Sequence, residues 1–487
     1  MPQERKPHSS AQKNEPEKIS KKNFSQWYHN LLKEAEIVDS RYEIQGMLVY
    51  RKWGLFIIRE MQRCLESMLE QHDHEPVTFP VLIPETVLGK ETRHIAGFED
   101  EVFWVTHAGS NELSVKLALR PTSETPIYEM FSLWIRSYND LPMKVHQSCA
   151  VYRYETKHTR PLIRGREFLW NEGHSAHVDY EDAEKNVADI KKIYRELIEN
   201  LLCIPFCIDR RPEWDKFPGA EYTLAFDTIM PEGKILQIAT VHNLGENFAH
   251  PFEITYEDQN GEKRYVSQTS YGPSFGRLLA SVISIHGDDN GLVLPPKIAP
   301  LQIIIVPIMF KGKGNREEIV VYCREIENFL KNSNIRVKVD ERDLRPGEMF
   351  YFWEMRGVPL RFEIGPREAK NRTVTAARRD NFKKTALNAD DMSSLLNDIR
   401  EIFTDIEQSL RSKAKERFES MKTCANSNED IENFDGAGII SCGWCGEKSC
   451  AEQIEQYCDI LGVEERADAV CPVCGGRGYR VRCGKTY

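Results

Sequence analysis

Apolar residues recur at helical spacing in NFSQWYHNLLKEAEIVD and again in GMLVYRKWGLFIIREMQRCLESMLEQHD (Gly46 to Asp73), where a short strand gives way to a long amphipathic helix. PVTFPVLIP (Pro76 to Pro84) reads as an apolar strand punctuated by prolines. From Phe103 to Tyr271 the period shortens. Short strands alternate with turns, interrupted by one helix at about Asp182 to Leu202, which predicts an antiparallel sheet with helices to one side, an α+β arrangement. LPPKIAP (Leu294 to Pro300) has three prolines in seven residues and marks a boundary. Beyond it, LQIIIVPIM (strand), NREEIVVYCREIENFLKNS (helix), IRVKVDE (strand), FYFWEMRG (helix), PLRFEIG and TVTAARRD (strands) predict a small three-layer α/β domain with a largely parallel sheet, ending near Lys384. A charged helical stretch from Asp390 to Ser420 leads into a cysteine-rich remainder. No internal repeat is visible.

A chain of 487 residues is too long for one core and implies about three domains. At 41% hydrophobic and 29% charged residues, most of it is expected to fold. The first 22 residues, rich in Lys, Glu, Pro and Ser and without a signal-peptide core, read as a disordered tail. The most apolar run, LQIIIVPIMF, is far short of a membrane span, so a cytosolic location is expected, with no membrane partner. A net charge of -10 argues against a generic nucleic-acid coat and against DNA as a partner, yet leaves room for a polyanion held along local basic stripes. Of thirteen cysteines, seven follow Gly436, and in a reducing compartment such clustering points to metal.

Four stretches carry polar groups that a core does not need. AVYRYETKHTRPLIRGREFLW (Ala150 to Trp170) gathers Arg153, Arg160, Arg164 and Arg166 among strand formers. Guanidinium groups placed so pair with carboxylate or phosphate, although a solvated strand face is the plainer reading. Extended through NEGHSAH, the stretch reads as one strand carrying Arg153 and Glu155 and a return strand carrying Arg164, Trp170, Glu172 and His174; strand parity puts Trp170, Glu172 and His174 on one face. In LRPTSETPIYEM, Thr122, Ser123 and Glu124 follow a proline at a strand end, where a simple helix N-cap is the alternative. In SYGPSFGRLLASVISIHGDDNGLVLPP, Arg277 begins a helix after a glycine-rich turn, a place suited to an anion. The α/β domain has neither G-x-G-x-x-G after its first strand nor the GK[ST] of a phosphate loop, so it is not read as a nucleotide site. Near the end, WCGEKSC and CPVCG offer Cys445, Cys450, Cys471 and Cys474 with gaps of four and two residues, while Cys442 with Cys445 offers a rival two-residue gap.

Taken together, RPTSE, RYE…REFLWNEGHSAH, HNLGENF and HGDDNGLVLPP resemble the signature motifs of class II aminoacyl-tRNA synthetases, in particular the archaeal and eukaryotic-type prolyl-tRNA synthetases, from about Phe24 to Tyr487. The resemblance implies an α+β catalytic domain with an antiparallel sheet (23–296) after the tail (1–22), an α/β anticodon-binding domain (297–389), and a linker helix with a small zinc-binding α+β domain (390–487). It implies a ligase that joins L-proline to tRNA(Pro) through prolyl-adenylate, and a homodimer formed through motif 1, Gly46 to Pro84. By resemblance, Arg153, Glu155, Arg164, Gln237, Thr240 and Arg277 hold ATP with Mg²⁺, with Arg153 and Arg277 catalytic. Thr122, Glu124, Arg153, Trp170, Glu172, His174 and His242 surround proline. VDERDLRPGEMFYFWEMRGVPLRFEIGPREA is similar to the anticodon-binding domain of class IIa synthetases, which nominates Arg342, Glu354, Arg361 and Arg378 for the anticodon. Cys445, Cys450, Cys471 and Cys474 match the family's structural zinc site, and Tyr487 corresponds to a final tyrosine that tucks back towards the active site. About 95 residues separate His177 from Tyr271, too few for the editing domain that many bacterial relatives insert there. A catalytically silent paralogue would have lost a motif arginine or its anticodon domain, and HGDDNGLVLPP disfavours a threonine or serine enzyme.

Overall fold

The computed structural model describes residues 20–90, 99–308 and 316–487. The expected tail, residues 1–22, lies outside them up to residue 19. The first helix is Phe24–Glu34, and the motif 1 segment forms the strand Val49–Tyr50 and the helix Lys52–Glu70. Its buried residues, Trp53, Ile57, Ile58, Met61, Leu65 and Leu69, recur every three or four positions and face the main core. Gly54 is required here. A Cβ on it would stand 2.3 Å from the Ile37 carbonyl oxygen.

The centre is one sheet of eleven strands, and seven of them build the catalytic part, in the order Cys207–Arg210, Tyr222–Ile229, Ile235–Gly245, Ser267–Pro273, Glu167–His177, Met143–Tyr152 and Glu75–Pro76. All neighbours among these are antiparallel except the last, where Glu75 pairs with Val145 in parallel. Helices Tyr180–Arg195 and Phe275–His286 pack against it.

Three expectations need correction. The segment Pro76 to Pro84 is not one strand: it supplies Glu75–Pro76 to the large sheet and Leu82–Pro84 to a separate three-stranded sheet, because Pro80, between them, has no N–H to carry a ladder on. Between Phe103 and Tyr271 a second helix, Glu124–Trp134, accompanies the expected one. The sheet of the α/β domain is mixed, not largely parallel. Ile303–Pro307 pairs in parallel with Val337–Val339 and Leu360–Ile364, but Thr373–Arg378 and an added strand, Lys384–Asn388, run antiparallel: the six-residue helix Pro366–Asn371 between Leu360–Ile364 and Thr373–Arg378 is too short to carry the chain back across the sheet, and a turn joins the last two strands.

The cysteine-rich remainder does not stand apart. After the helix Met392–Ser420, its strands Lys422–Cys424, Ile439–Trp444, Asp459–Val470 and Arg477–Gly484 extend the large sheet, joined where Val463 pairs with Arg210. Arg482 donates to buried Asp209 at 2.5 Å across the seam, and Thr486 bridges to Ile235. No helix among the described residues is long and apolar enough to cross a membrane.

Candidate active site

The strands Met143–Tyr152 and Glu167–His177 pair from Met143↔Ala176 to Tyr152↔Glu167 and form a hairpin whose connection holds the arginine-rich stretch. Arg153, Glu155 and Arg164 lie in that connection and not on the strands where sequence placed them. The ladder stops because its main-chain groups turn elsewhere: the Tyr154 N–H donates to Glu101 O at 2.7 Å, and the Arg166 N–H to Gly46 O at 2.8 Å. On the return strand, Trp170, Glu172 and His174 do share a face, as alternation requires.

That face lines a cavity of about 480 Å³. Thr122, Glu124, Arg153, Glu155, Arg164, Gln237, Thr240, His242 and Arg277 line it too, so all twelve residues assigned by resemblance to ATP or proline meet in one cleft. One end is acidic and tightly built. Glu172, 2% exposed, accepts from Ser123 N (3.1 Å), Ser123 Oγ (2.5 Å), Gln147 Nε2 (2.8 Å) and His174 Nε2 (3.3 Å). Burial raises its carboxyl pKa, but these donors outweigh burial and hold it below the ordinary value, an anion at neutral pH. Glu124 accepts from the Thr122 hydroxyl in a short bond. Ser123 does sit at the N-cap of Glu124–Trp134, yet its hydroxyl makes no cap bond and is committed to Glu172 instead. The cap position and the site are thus the same residue.

The other end is cationic. Arg277, third residue of Phe275–His286, donates through Nε to Ile163 O (3.0 Å) and through Nη1 to Gln237 O (2.9 Å). Burial and the charges of Arg164 and Arg153 lower its pKa to about 10, so it stays charged in a field that an anion would relieve. Arg164 pairs with Glu155 at 2.9 Å and donates to Tyr487 O at 2.5 Å, which docks Tyr487 beside the cleft. Arg153 lies between the two ends: its Nε donates to Pro121 O (3.1 Å), its guanidinium faces the Phe168 and Trp170 rings, and it feels Glu101, Glu124, Glu172 and Glu155.

Several contributors escaped the sequence. Gln147 faces Glu172 only through the strand register, Phe217 packs against His242 with the rings tilted by 33° and 4.6 Å between centroids, and Arg211 fixes Gln237 with an Nη2–Oε1 bond of 2.9 Å. No local spacing marks any of them, because each partner is remote in the chain.

His242 is buried and bonded through Nδ1 to the Thr223 hydroxyl (2.8 Å); burial, then the charges of His174 and Arg153, lower its pKa to about 3. Burial lowers His74 to about 3 and His286 to about 4 in the same way. In each case the unfolded imidazole binds a proton that the folded one refuses, so stability falls as pH drops from about 6.5 towards the folded values, by roughly 1.4 kcal/mol per unit per histidine. The thermal midpoint is expected to fall steadily between pH 6.5 and 5; a flat profile there would contradict neutral burial.

Of the four anticodon candidates, three come together. Glu354, Arg361 and Arg378 line a small recess of the α/β domain; Arg361 pairs with Glu354 (2.7 Å) and Glu363 (2.9 Å) and lies over Phe350, while Arg378 pairs with Asp380. Arg342 is separate, bound to Asp340 (2.6 Å) beside Phe352 on the wall of another groove.

The sulfurs of Cys445, Cys450, Cys471 and Cys474 lie within 4.8 Å of one another. Four thiolates about 2.3 Å from a zinc ion stand roughly 3.8 Å apart, so the set fits a closed tetrahedral site. The Gly476 N–H donates to Cys474 Sγ, a contact that supports a thiolate ligand. Cys442 belongs elsewhere: its sulfur lies 3.9 Å from Cys483 Sγ in the module's core, which removes the rival pairing.

This fold and cleft define a class II tRNA synthetase, and residues 103–286 match the tRNA synthetase class II core domain (G, H, P, S and T), with residues 302–399 matching the anticodon binding domain. The chain is 48% identical to the proline--tRNA ligase of Methanopyrus kandleri, covering 95% of this chain and 96% of that one, and 48% identical to that of Pyrococcus abyssi (96% and 98%). Among solved structures it superposes on Giardia lamblia prolyl-tRNA synthetase in complex with prolyl-adenylate (TM-score 0.91, 36% identity, 96% of this chain and 99% of that one). The Cryptosporidium parvum prolyl-tRNA synthetase complexed with halofuginone and AMPPNP gives a TM-score of 0.90 at 34% identity, covering 96% and 99%. The chain belongs to the proline--tRNA ligase family.

Proposed function

We propose that this chain activates L-proline with ATP and transfers it to the 3′ end of tRNA(Pro). The observation that carries the reading is the joint placement of Arg153 and Arg277 in one cleft whose far wall is a buried, fully bonded Glu172. The proline carboxylate attacks the α-phosphorus of ATP, the bond to the β-phosphate breaks, and pyrophosphate leaves with the electron pair. A terminal hydroxyl of the tRNA then attacks the carbonyl carbon, and AMP departs. The substrate brings its own nucleophile, so no Ser, Cys or His base is needed. What the protein supplies is alignment and positive charge where charge accumulates.

Arg153 spans carboxylate and α-phosphate, while Arg277 and Arg164, with Glu155, Gln237 and Thr240, take the nucleotide, which enters as its Mg²⁺ complex. Glu124 and Glu172 balance the secondary ammonium, Trp170, His174 and His242 wall the ring, and Thr122 orients Glu124. Glu354, Arg361 and Arg378 read splayed anticodon bases, with Arg342 at a second position. Cys445, Cys450, Cys471 and Cys474 hold Zn²⁺ as a structural ion, since four thiolates leave it no open position. The working division is a catalytic domain at 23–296, an anticodon domain at 297–389 and a zinc-binding region at 390–487. Two copies pair through the motif 1 segment, where Val49, and just before it Tyr42 and Ile44, stand exposed. The enzyme works in the cytoplasm and carries no editing domain in cis: the chain between His177 and Ser267 is taken up by the helix Tyr180–Arg195 with its continuation Glu196–Leu201, three strands of the large sheet and one short hairpin.

The deciding experiment is exchange of labelled pyrophosphate into ATP with each amino acid in turn. Exchange is expected with proline, and weakly with alanine and cysteine, because a small apolar pocket separates such side chains by only about 1–3 kcal/mol. No exchange with any amino acid would sink the reading in favour of a silent paralogue.

A further inference from the structure

The run HGDDNGLVLPP contributes no residue to the cleft. It follows Phe275–His286 directly, the helix whose first turn carries Arg277, and each of its first residues is tied to another part of the molecule. His286 donates through Nε2 to Leu202 O (2.9 Å), and Lys21 Nζ donates to Gly287 O (2.5 Å). Asp288 accepts a fork from Arg379 of the anticodon-binding domain, Nη2 to Oδ1 at 2.6 Å and Nη1 to Oδ2 at 2.8 Å. Gly291 sits at φ +130°, and a Cβ there would stand 2.4 Å from Met355 Cα. Leu292 N–H donates to Met355 O (3.1 Å).

A carboxylate just past a helix C-terminus is unfavourable for the helix itself, because the macrodipole is negative there. Asp288 therefore does not serve the helix as a cap. It serves Arg379, whose side chain is 2% exposed and whose Nε also donates to Glu354 O (3.0 Å). Arg379 adjoins Arg378, and Glu354 bonds Arg361, so the fork starts from the recess proposed for the anticodon. At the other end, a buried twelve-residue helix moves as a rod, and Arg277 holds its place only while it reaches Ile163 O and Gln237 O.

We infer that Asp288 is a positioning residue for Arg277, and that Arg379 makes the seating of the anticodon-binding domain a condition of efficient amino-acid activation. The inference rests on the ligase reading above. It is tested with Asp288→Asn, which removes the charge at constant shape, and Arg379→Lys, which keeps the charge but not the fork. A third protein carries both Asp288→Arg and Arg379→Asp. Proline-dependent pyrophosphate exchange is measured per active site, counted by adenylate burst. Both single variants are expected to lose about 10- to 100-fold in kcat, since small misplacements of a charged group cost that much. KM for proline should stay within about twofold, because its pocket is built from other elements, and the reversed pair should recover most of the loss. Unchanged kcat in either single variant, or a loss that the count of active sites explains in full, overturns the inference. The unmodified chain is assayed alongside: its failure to exchange would refute the ligase reading, whereas its normal exchange with undiminished variants refutes only the role of Asp288.

Discussion

Arg153→Lys is expected to lower kcat/KM for proline-dependent pyrophosphate exchange by about 10²–10³-fold, the usual loss when one preorganised donor is taken from a developing charge. The guanidinium is half-buried, held by its Nε–H to Pro121 O and flanked by the Phe168 and Trp170 rings, so its outer nitrogens are directed by contacts that an ammonium cannot copy. Lysine keeps the charge but loses the fork proposed to span two anions. Stability should drop by only about 1 kcal/mol, the worth of the lost hydrogen bond. A lysine variant within a few-fold of the unmodified enzyme would show that charge alone suffices, and that the spanning role assigned to Arg153 is wrong.

The site was legible wherever chemistry and periodicity coincided. Trp170, Glu172 and His174 alternate along eleven residues of unbroken strand, so parity alone placed them on one wall. The same rule failed at Arg153, Glu155 and Arg164, because parity holds only while the ladder continues, and here the amides of Tyr154 and Arg166 leave it for Glu101 and Gly46. Gln147, Phe217 and Arg211 could not be read at all. Their roles come from partners fixed by strand register or by a seam between distant segments.

Fold class followed the same logic. Alternating strand and helix patterns predicted the layers of the anticodon-binding domain, but not its pair directions, since a strand's composition does not reveal which neighbour it takes. The cysteine-rich end read as a separate unit because its composition changes abruptly. In space it prolongs the catalytic sheet, and the linkage depends on Val463↔Arg210 and the Arg482–Asp209 pair, which no local pattern announces.

That continuity makes metal loss the second large effect. Cys471→Ser is expected to abolish the proposed zinc site and unfold the strands after Met392–Ser420, because the binding free energy of a structural zinc, about 10–16 kcal/mol in small domains, is the folding free energy of its surroundings. The damage should reach the cleft. Arg211, which fixes Gln237, also donates to Leu461 O, and Arg164 donates to Tyr487 O, so two anchors of the cleft's cationic end leave with the module. Metal analysis should find one zinc per unmodified chain and none in Cys471→Ser, with early proteolytic loss of the C-terminal strands and pyrophosphate exchange down by about tenfold or more. Cys442→Ser is the control. Its sulfur faces Cys483 and not the other four, so the variant should keep its zinc and lose only about 1–2 kcal/mol, the cost of a hydroxyl buried against the Cys483 sulfur. Zinc retained by Cys471→Ser but lost from Cys442→Ser would overturn the ligand set, and full exchange activity in a zinc-free chain would break the proposed link between this module and the active site.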